Sequence, residues 1–283
     1  MTETGDRGPV HPVVRAAITA AAARFGFSET PRLDAELLMA HALGTSREAM
    51  LLGQLNDPAP DGFAALVERR AAHEPVAYIT GVRDFWTISL AVGPGVLIPR
   101  ADSETLLEAA VDHFRGTSGP ATILDLGTGP GTLLFAALAE WPRARGLGID
   151  ASEQALEYAA RNARQLGLAQ RARLERGDWL AGHDERFDLV LCNPPYVETG
   201  APLSPEVRDW EPAAALFAGA EGLDDYRRLA PQIATALAPG GVGCIEIGAE
   251  QGPAAAALFR DAGLRVNIRR DLAGHQRCLV ATS

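Results

Sequence analysis

Lysine is absent from this chain of 283 residues; all 26 of its basic residues are arginine. That excludes a catalytic lysine, and alongside the alanine and glycine richness it reads as composition bias. Cysteine is scarce. Cys192, Cys244 and Cys278 lie far apart in strand-like runs, with no metal-ligand spacing and in odd number. A disulfide scaffold is therefore not expected, and buried free thiols are the reading. The six histidines (His11, His41, His73, His113, His183 and His275) are scattered and suggest no metal site. No apolar run approaches the length needed to cross a bilayer. Met1 to Val10 is polar and lacks the basic-plus-apolar pattern of a secretory leader, so a cytoplasmic location is the default expectation. The formal net charge of −10 disfavours non-specific binding to a long polyanion, though it leaves room for a protein partner or a basic groove on an acidic body. With 47% apolar and 22% charged residues, the chain is globular in composition and has the length for one large domain or two modest ones.

What is present is concentrated in two motifs. Phe187 to Cys192 reads as a buried strand, and Asn193-Pro194-Pro195-Tyr196 follows it directly. Two prolines remove two N–H donors and fix φ, and the residue before them is pushed to extended geometry. The resulting rigid corner presents one carboxamide, free carbonyl oxygens and an aromatic ring. Such a set can hold a planar NH2 group by accepting both its hydrogens, as methylation of an amide or exocyclic amine nitrogen requires. The plainer alternative is a proline-rich turn with a buried tyrosine.

The second motif begins with the strand-like Thr122 to Leu126, which includes Asp125. Gly127-Thr128-Gly129-Pro130-Gly131 follows, then a helix-like stretch from Thr132 to Glu140. Strand, glycine turn and helix open the ligand-binding half of a doubly wound sheet. The glycines admit close approach of a ligand, and the helix start offers N–H groups. The Gly-x-Gly-x-Gly spacing favours a ligand whose amino-acid end sits over the turn, not a pyrophosphate. Asp125 either anchors the turn or meets the ligand's ammonium group. The next strand ends at Asp150, placed for ribose hydroxyls or as an N-cap; both roles are compatible only if Ser152 caps the following helix. A third strand, Arg171 to Arg176, leads to Gly177-Asp178-Trp179, suited to an adenine amine and ring, although Trp179 equally fits the core or a lid. All these signals fall at carboxyl strand ends, where open α/β sheets bind ligands.

The fold class expected is α/β: a doubly wound, mostly parallel seven-stranded Rossmann-like sheet, with a small N-terminal helical domain and a β-hairpin linker. Residues 1–80 read as helical, with helices over Pro12 to Phe27, Pro31 to Leu43, Arg47 to Leu55 and Asp61 to His73. Residues 81–101 read as the linker: Phe85 to Val92 alternates, Gly93-Pro94-Gly95 turns, and Val96 to Ile98 returns. Residues 102–283 read as the βα domain, opening with a helix that Asp102 can cap and closing with an antiparallel hairpin around Gly274. A turn is expected at Pro239-Gly240-Gly241. The irregular Glu198 to Gly222 stretch beside the Asn-Pro-Pro-Tyr corner is long enough to suggest a role at the site.

With these residues in hand, the chain resembles the protein-(glutamine-N5) methyltransferases, and more narrowly the branch acting on peptide-chain release factors. The resemblance rests on Pro31 to Glu36, Glu74 to Gly81, Phe85-Trp86, Leu97 to Glu104, Asp125 to Gly131, Gly177 to Trp179, Asn193 to Tyr196, Val207-Arg208 with Glu211-Pro212, and Glu246 to Gly248. Pro130 and Ala101 depart from the family's usual residues. The resemblance implies a class I fold that uses S-adenosyl-L-methionine, leaves S-adenosyl-L-homocysteine and needs no metal. Cofactor contacts are then expected from Asp125, Gly127, Thr128, Gly129, Pro130, Gly131, Asp150, Asp178, Trp179 and Asn193. Catalysis is expected from Asn193, Pro194, Pro195 and Tyr196, and further substrate contacts from Arg100, Asp102 and Glu104, for which helix capping and surface charge are the competing reading. The partner implied is the glutamine of the Gly-Gly-Gln motif in a release factor, bound by a monomer without direct contact to nucleic acid or membrane. Three rivals stand beside it: a ribosomal-protein glutamine methyltransferase, a nucleic-acid adenine-N6 methyltransferase, and a non-catalytic cofactor-binding protein. Flipping a base would call for a basic groove.

Overall fold

The computed structural model describes residues 12–283. The polar Met1 to Val10 stretch and His11 lie outside the described residues. The chain divides into two compact units between Gly81 and Val82.

The first unit contains the helices Val14–Arg24, Pro31–Leu43, Arg47–Gly53, Phe63–Ala71 and Val76–Thr80. Local sequence sets their ends. Pro31 sits in a first turn, Gly44 closes that helix at φ 65°, and the Ser46 side chain accepts from Ala49 N at the next start. Ile18, Phe25, Leu38, Met39 and Met50 are fully buried between the helices. The acids of Pro31 to Glu36 serve this unit internally. Asp34 pairs with the buried Arg70 at 2.8 Å, and Glu36 takes Arg32 at 2.6 Å and Arg47 at 2.7 Å.

The second unit opens with a hairpin, β1 (Val82–Phe85) and β2 (Ile88–Ala91). Its sheet comprises β3 (Thr122–Leu126), β4 (Arg145–Asp150), β5 (Ala172–Arg176), β6 (Phe187–Cys192), β7 (Leu237–Glu246), β8 (Arg265–Arg270) and β9 (Gln276–Thr282). The strand order is β5-β4-β3-β6-β7-β9-β8, parallel except at β9, which runs antiparallel to both neighbours. Strands β3, β6 and β7 are almost wholly apolar because helices cover both faces. The chain moves outward from β3 through β4 to β5, then returns to add β6 on the other side of β3. Their carboxyl ends therefore frame a crevice at the point where the strand order reverses.

Four local expectations are corrected. The hairpin turns at Trp86-Thr87, not at Gly93 to Gly95, with Phe85 opposite Ile88. Trp86 adopts φ 53°, and its N–H donates to Glu104 Oε1 at 2.9 Å. A bulky residue at positive φ is uncommon, so nothing in the sequence marks this turn. Val96 to Ile98 forms no strand; Gly93 to Gly95 instead passes close against the Glu153–Gln165 helix, with Gln154 Nε2 donating to Pro94 O at 2.8 Å. Asp102 caps no helix. A 3-10 turn, Ala101–Ser103, precedes the Glu104–His113 helix, and Asp102 pairs with Arg277 at 3.1 Å. Pro239 to Gly241 does not leave the sheet; β7 runs through it with a register shift opposite Phe187 to Leu189.

Candidate active site

A cleft of about 430 Å³ opens over the carboxyl ends of β3 to β6, within the range of small-molecule sites. Gly127 and Gly129 form part of its floor and are left-handed at φ 70° and 55°. The turn is tied to β4 from both sides. Gly127 N and Thr128 N donate to Ile149 O, and Gly129 N donates to Asp150 Oδ2 at 2.8 Å. Asp150 Oδ1 accepts from Ser152 N, while the Ser152 hydroxyl caps the next helix at Ala155 N. Asp150 is thus free of capping duty, and it fixes the glycine turn. A Cβ at Gly129 would meet nothing within 4 Å, whereas one at Gly131 would fall 1.9 Å from the Phe135 ring. The first glycine leaves room for a ligand; the second packs the helix beneath.

Asp125 lies under this turn, only 1% exposed. Its Oδ2 accepts from Thr128 Oγ1 at 2.7 Å and Leu134 N at 3.1 Å, while Oδ1 has no partner in the protein. Burial pushes its carboxyl up to about 7. An acceptor so placed, beside a glycine turn with open space above it, fits the ammonium end of an amino-acid-bearing cofactor. Burial likewise raises Asp150. The Trp179 ring packs on the core and also lines the cleft, with φ 54°. Asp178 lines the same wall but is exposed and pairs with Arg228 at 2.6 Å.

The Asn-Pro-Pro-Tyr corner leaves β6 directly opposite. Asn193 and Pro195 line the cleft, and Asn193 also borders a smaller recess with Asp125, Pro130, Pro99 and Arg100. Asn193 Nδ2 donates to Ser103 Oγ at 3.2 Å. Ser103 in turn donates to Glu246 Oε2, and Tyr196 OH donates to Glu246 Oε1 at 3.1 Å. Glu246 is 1% exposed, and burial raises its carboxyl against the pull of those two hydroxyls. Burial and this carboxylate also push the Tyr196 phenol well up, so it stays protonated.

Of the expected substrate contacts, Arg100 is partly exposed and pairs with the buried Glu211, whose Oε2 also accepts from Ile98 N at 3.2 Å. Asp102 is exposed and held by Arg277. Glu104 is spent on the Trp86 turn and lines neither cavity. The Glu198 to Gly222 stretch, expected to have a role at the site, brings Pro212, Ala214 and Ala215 to the cleft; sequence reading gave no site role to Gly95, Val96 and Asp225, which also line it, or to Asn162. Asn162 is fully buried; its Oδ1 accepts from Ala91 N at 2.8 Å and its Nδ2 donates to Ala91 O and Pro130 O. A lone Asn on the Ala155–Ala159–Ala163 stripe, and a lone Glu inside apolar β7, were the available signals.

Sheet order, glycine turn and strand-end acids define a class I, S-adenosylmethionine-dependent methyltransferase. A solved methyltransferase from Pyrococcus furiosus shares the fold at TM-score 0.50 and 20% identity, over 68% of this chain and 86% of that one. A Thermus thermophilus 16S rRNA methyltransferase, solved with AdoMet and guanosine, does so at TM-score 0.51 and 19% identity, over 71% of this chain and 49% of that one. A family model for a methyltransferase domain matches residues 118–256, and one for the PrmC N-terminal domain matches residues 16–81. The release factor glutamine methyltransferase of Rhodospirillum rubrum is 46% identical, over 89% of this chain and 79% of its own. That of Cereibacter sphaeroides is 45% identical, over 95% and 96%. This chain belongs to the release factor glutamine methyltransferases.

Proposed function

We propose that this chain methylates the side-chain amide nitrogen of the glutamine in the Gly-Gly-Gln motif of peptide-chain release factors. The carrying observation is the position of Asn193: a strand-end carboxamide at the switch point, across from the Gly127 to Gly131 turn. S-adenosyl-L-methionine, when bound, supplies an electrophilic methyl group on a sulfonium and leaves as S-adenosyl-L-homocysteine. The residues that would hold it are Asp125 through its unpartnered oxygen, the backbone of Gly127 to Gly129, Asp150 for ribose hydroxyls, and Trp179 for the adenine face.

An amide nitrogen is a poor nucleophile because its lone pair is delocalised into the carbonyl. Asn193 Oδ1 and the Pro194 carbonyl would each accept one amide hydrogen. That orients the nitrogen and frees its lone pair to face the methyl. The two prolines fix the Pro194 carbonyl and the backbone that carries Asn193 in advance, so catalysis comes from positioning and preset dipoles. Tyr196 would pack against the planar amide. No base is required, since the nitrogen becomes acidic as it takes the methyl. Arg100, which lines the smaller recess, would meet the rest of the substrate, with the exposed Asp102 two residues on.

The test is mass spectrometry of purified release factor after incubation with this protein and the cofactor. A motif glutamine-to-alanine release factor is the control. One methyl mapped to that glutamine is expected. Asn193→Ala should lower turnover by about 10²–10³-fold with cofactor binding retained. Near-normal turnover in that variant sinks the mechanism. Methylation of a ribosomal protein instead, with none on the release factor, sinks the substrate assignment.

A further inference from the structure

We propose that Ser103 and Glu246 are positioning residues that fix which end of the Asn193 carboxamide faces the substrate. This deepens the function proposed above and rests on Asn193 accepting a hydrogen from the substrate amide.

The two ends of a carboxamide are nearly alike in size and opposite in hydrogen bonding. With its NH2 turned to the cleft, Asn193 would oppose the substrate's own NH2, donor against donor. The loop Asn193-Pro194-Pro195 holds the residue's backbone but not the rotation of its amide. Something else must set that rotation, and one group lies against it. Ser103 Oγ accepts from Asn193 Nδ2 at 3.2 Å, and Ser103 is only 2% exposed, so solvent offers it little else.

A hydroxyl carries a single proton. Ser103 gives that proton to Glu246 Oε2. Its oxygen is then left with lone pairs alone and can only accept, so Asn193 must turn its NH2 toward Ser103 and its oxygen toward the cleft. Because the two oxygens of Glu246 accept from Ser103 and from Tyr196, this side chain fixes the direction of the whole chain of hydrogen bonds. The second oxygen of Glu246 takes Tyr196 OH at 3.1 Å, so one carboxylate holds both ends of the Asn-Pro-Pro-Tyr corner. Its strand end is itself pinned, because Tyr226 OH donates to Glu246 O at 3.0 Å. A lone acid in an otherwise apolar strand costs stability. Each side-chain hydrogen bond described for Glu246 leads to the corner, so its presence in the core is explained by the site and not by packing.

Ser103→Ala removes the acceptor at the expense of one oxygen atom. Glu246→Gln keeps the shape but introduces a donor, which allows the chain of hydrogen bonds to run the other way. Both should lower kcat about tenfold or more. KM for the release factor and the calorimetric Kd for S-adenosylmethionine should stay close to wild type. Adding Ser103→Ala to Asn193→Ala should cost nothing further, because the group that Ser103 orients is gone; a general structural role would lower that background by the same factor. Full turnover in Ser103→Ala, with Asn193→Ala inactive, overturns the positioning role and leaves the amide reading standing. Activity in Asn193→Ala overturns the amide reading itself. Loss of cofactor affinity or of melting temperature in step with kcat, in both Ser103→Ala and Glu246→Gln, also overturns the proposal, since both would then be supporting the fold.

Discussion

Asp125 keeps one oxygen hydrogen-bonded and one bare, in a place where water does not reach. Of the two roles open to it in the sequence, anchor of the glycine turn is visible in its bonds to Thr128 and Leu134. The bare Oδ1 keeps the second role available. Burial pushes the carboxyl from 3.8 up to about 7. A raised carboxyl favours the neutral form in the folded protein. Its contribution to stability is therefore full below about pH 4 and is lost as pH rises through about 7. Asp125→Asn removes the ionisation. Relative to wild type, the variant should gain between pH 5 and pH 8 by about 2–3 kcal/mol, whatever its offset at pH 5. Thermal denaturation of both ligand-free proteins at the two pH values checks this. A difference in melting temperature that does not move with pH would show that Asp125 ionises like an exposed acid.

At the scale of elements, the glycine turn depends on a neighbour that the sequence did not disclose. Asn162 projects from the Glu153–Gln165 helix and joins β2 at Ala91 to the turn at Pro130. Removing its amide strands three buried backbone groups. Asn162→Ala should destabilise the second unit by at least about 2 kcal/mol and weaken cofactor binding, through a looser turn. Chemical denaturation and calorimetry read the two effects, and unchanged cofactor affinity would separate Asn162 from the site. Strands β3, β4, β6 and β7 were legible because buried strands are apolar runs bounded by glycine, proline or acid, whereas the edge strands β5 and β8 are rich in charge. The hairpin turn was not, because Trp86 takes a conformation usual for Gly or Asn and is held there by Glu104, distant in sequence. Glycines 93 and 95 carried a strong turn signal for a different reason: a Cβ there would strike Tyr158 or Gln154. The strand-end acids were legible by position, whereas Ser103 and Glu246 gained meaning only when three elements came together.

At the scale of the whole molecule, all three thiols fall in the second unit, on the adjacent strands β6, β7 and β9, and each is fully buried. Burial also raises the Cys192 and Cys278 thiols well above their ordinary value, so a reagent is denied both access and thiolate. They lie in the middle of the sheet whose edge forms the cleft. Labelling therefore requires that sheet to open, and opening of the helical unit alone leaves no trace in it. In native buffer, a thiol reagent should modify the three only slowly, through opening of the sheet, and in denaturant all three at once. Saturating cofactor at about 100 times its Kd should slow native-state labelling about 100-fold when reclosing outpaces modification, because ligand binds only the closed sheet. Mass spectrometry of quenched samples follows each thiol separately. A common rate for Cys192, Cys244 and Cys278, slowed by one factor, is the expected result. Early labelling of Cys278 alone, insensitive to cofactor, would mean that the β8–β9 hairpin peels away by itself, and that the antiparallel edge is a separate folding unit from the parallel strands that carry the site.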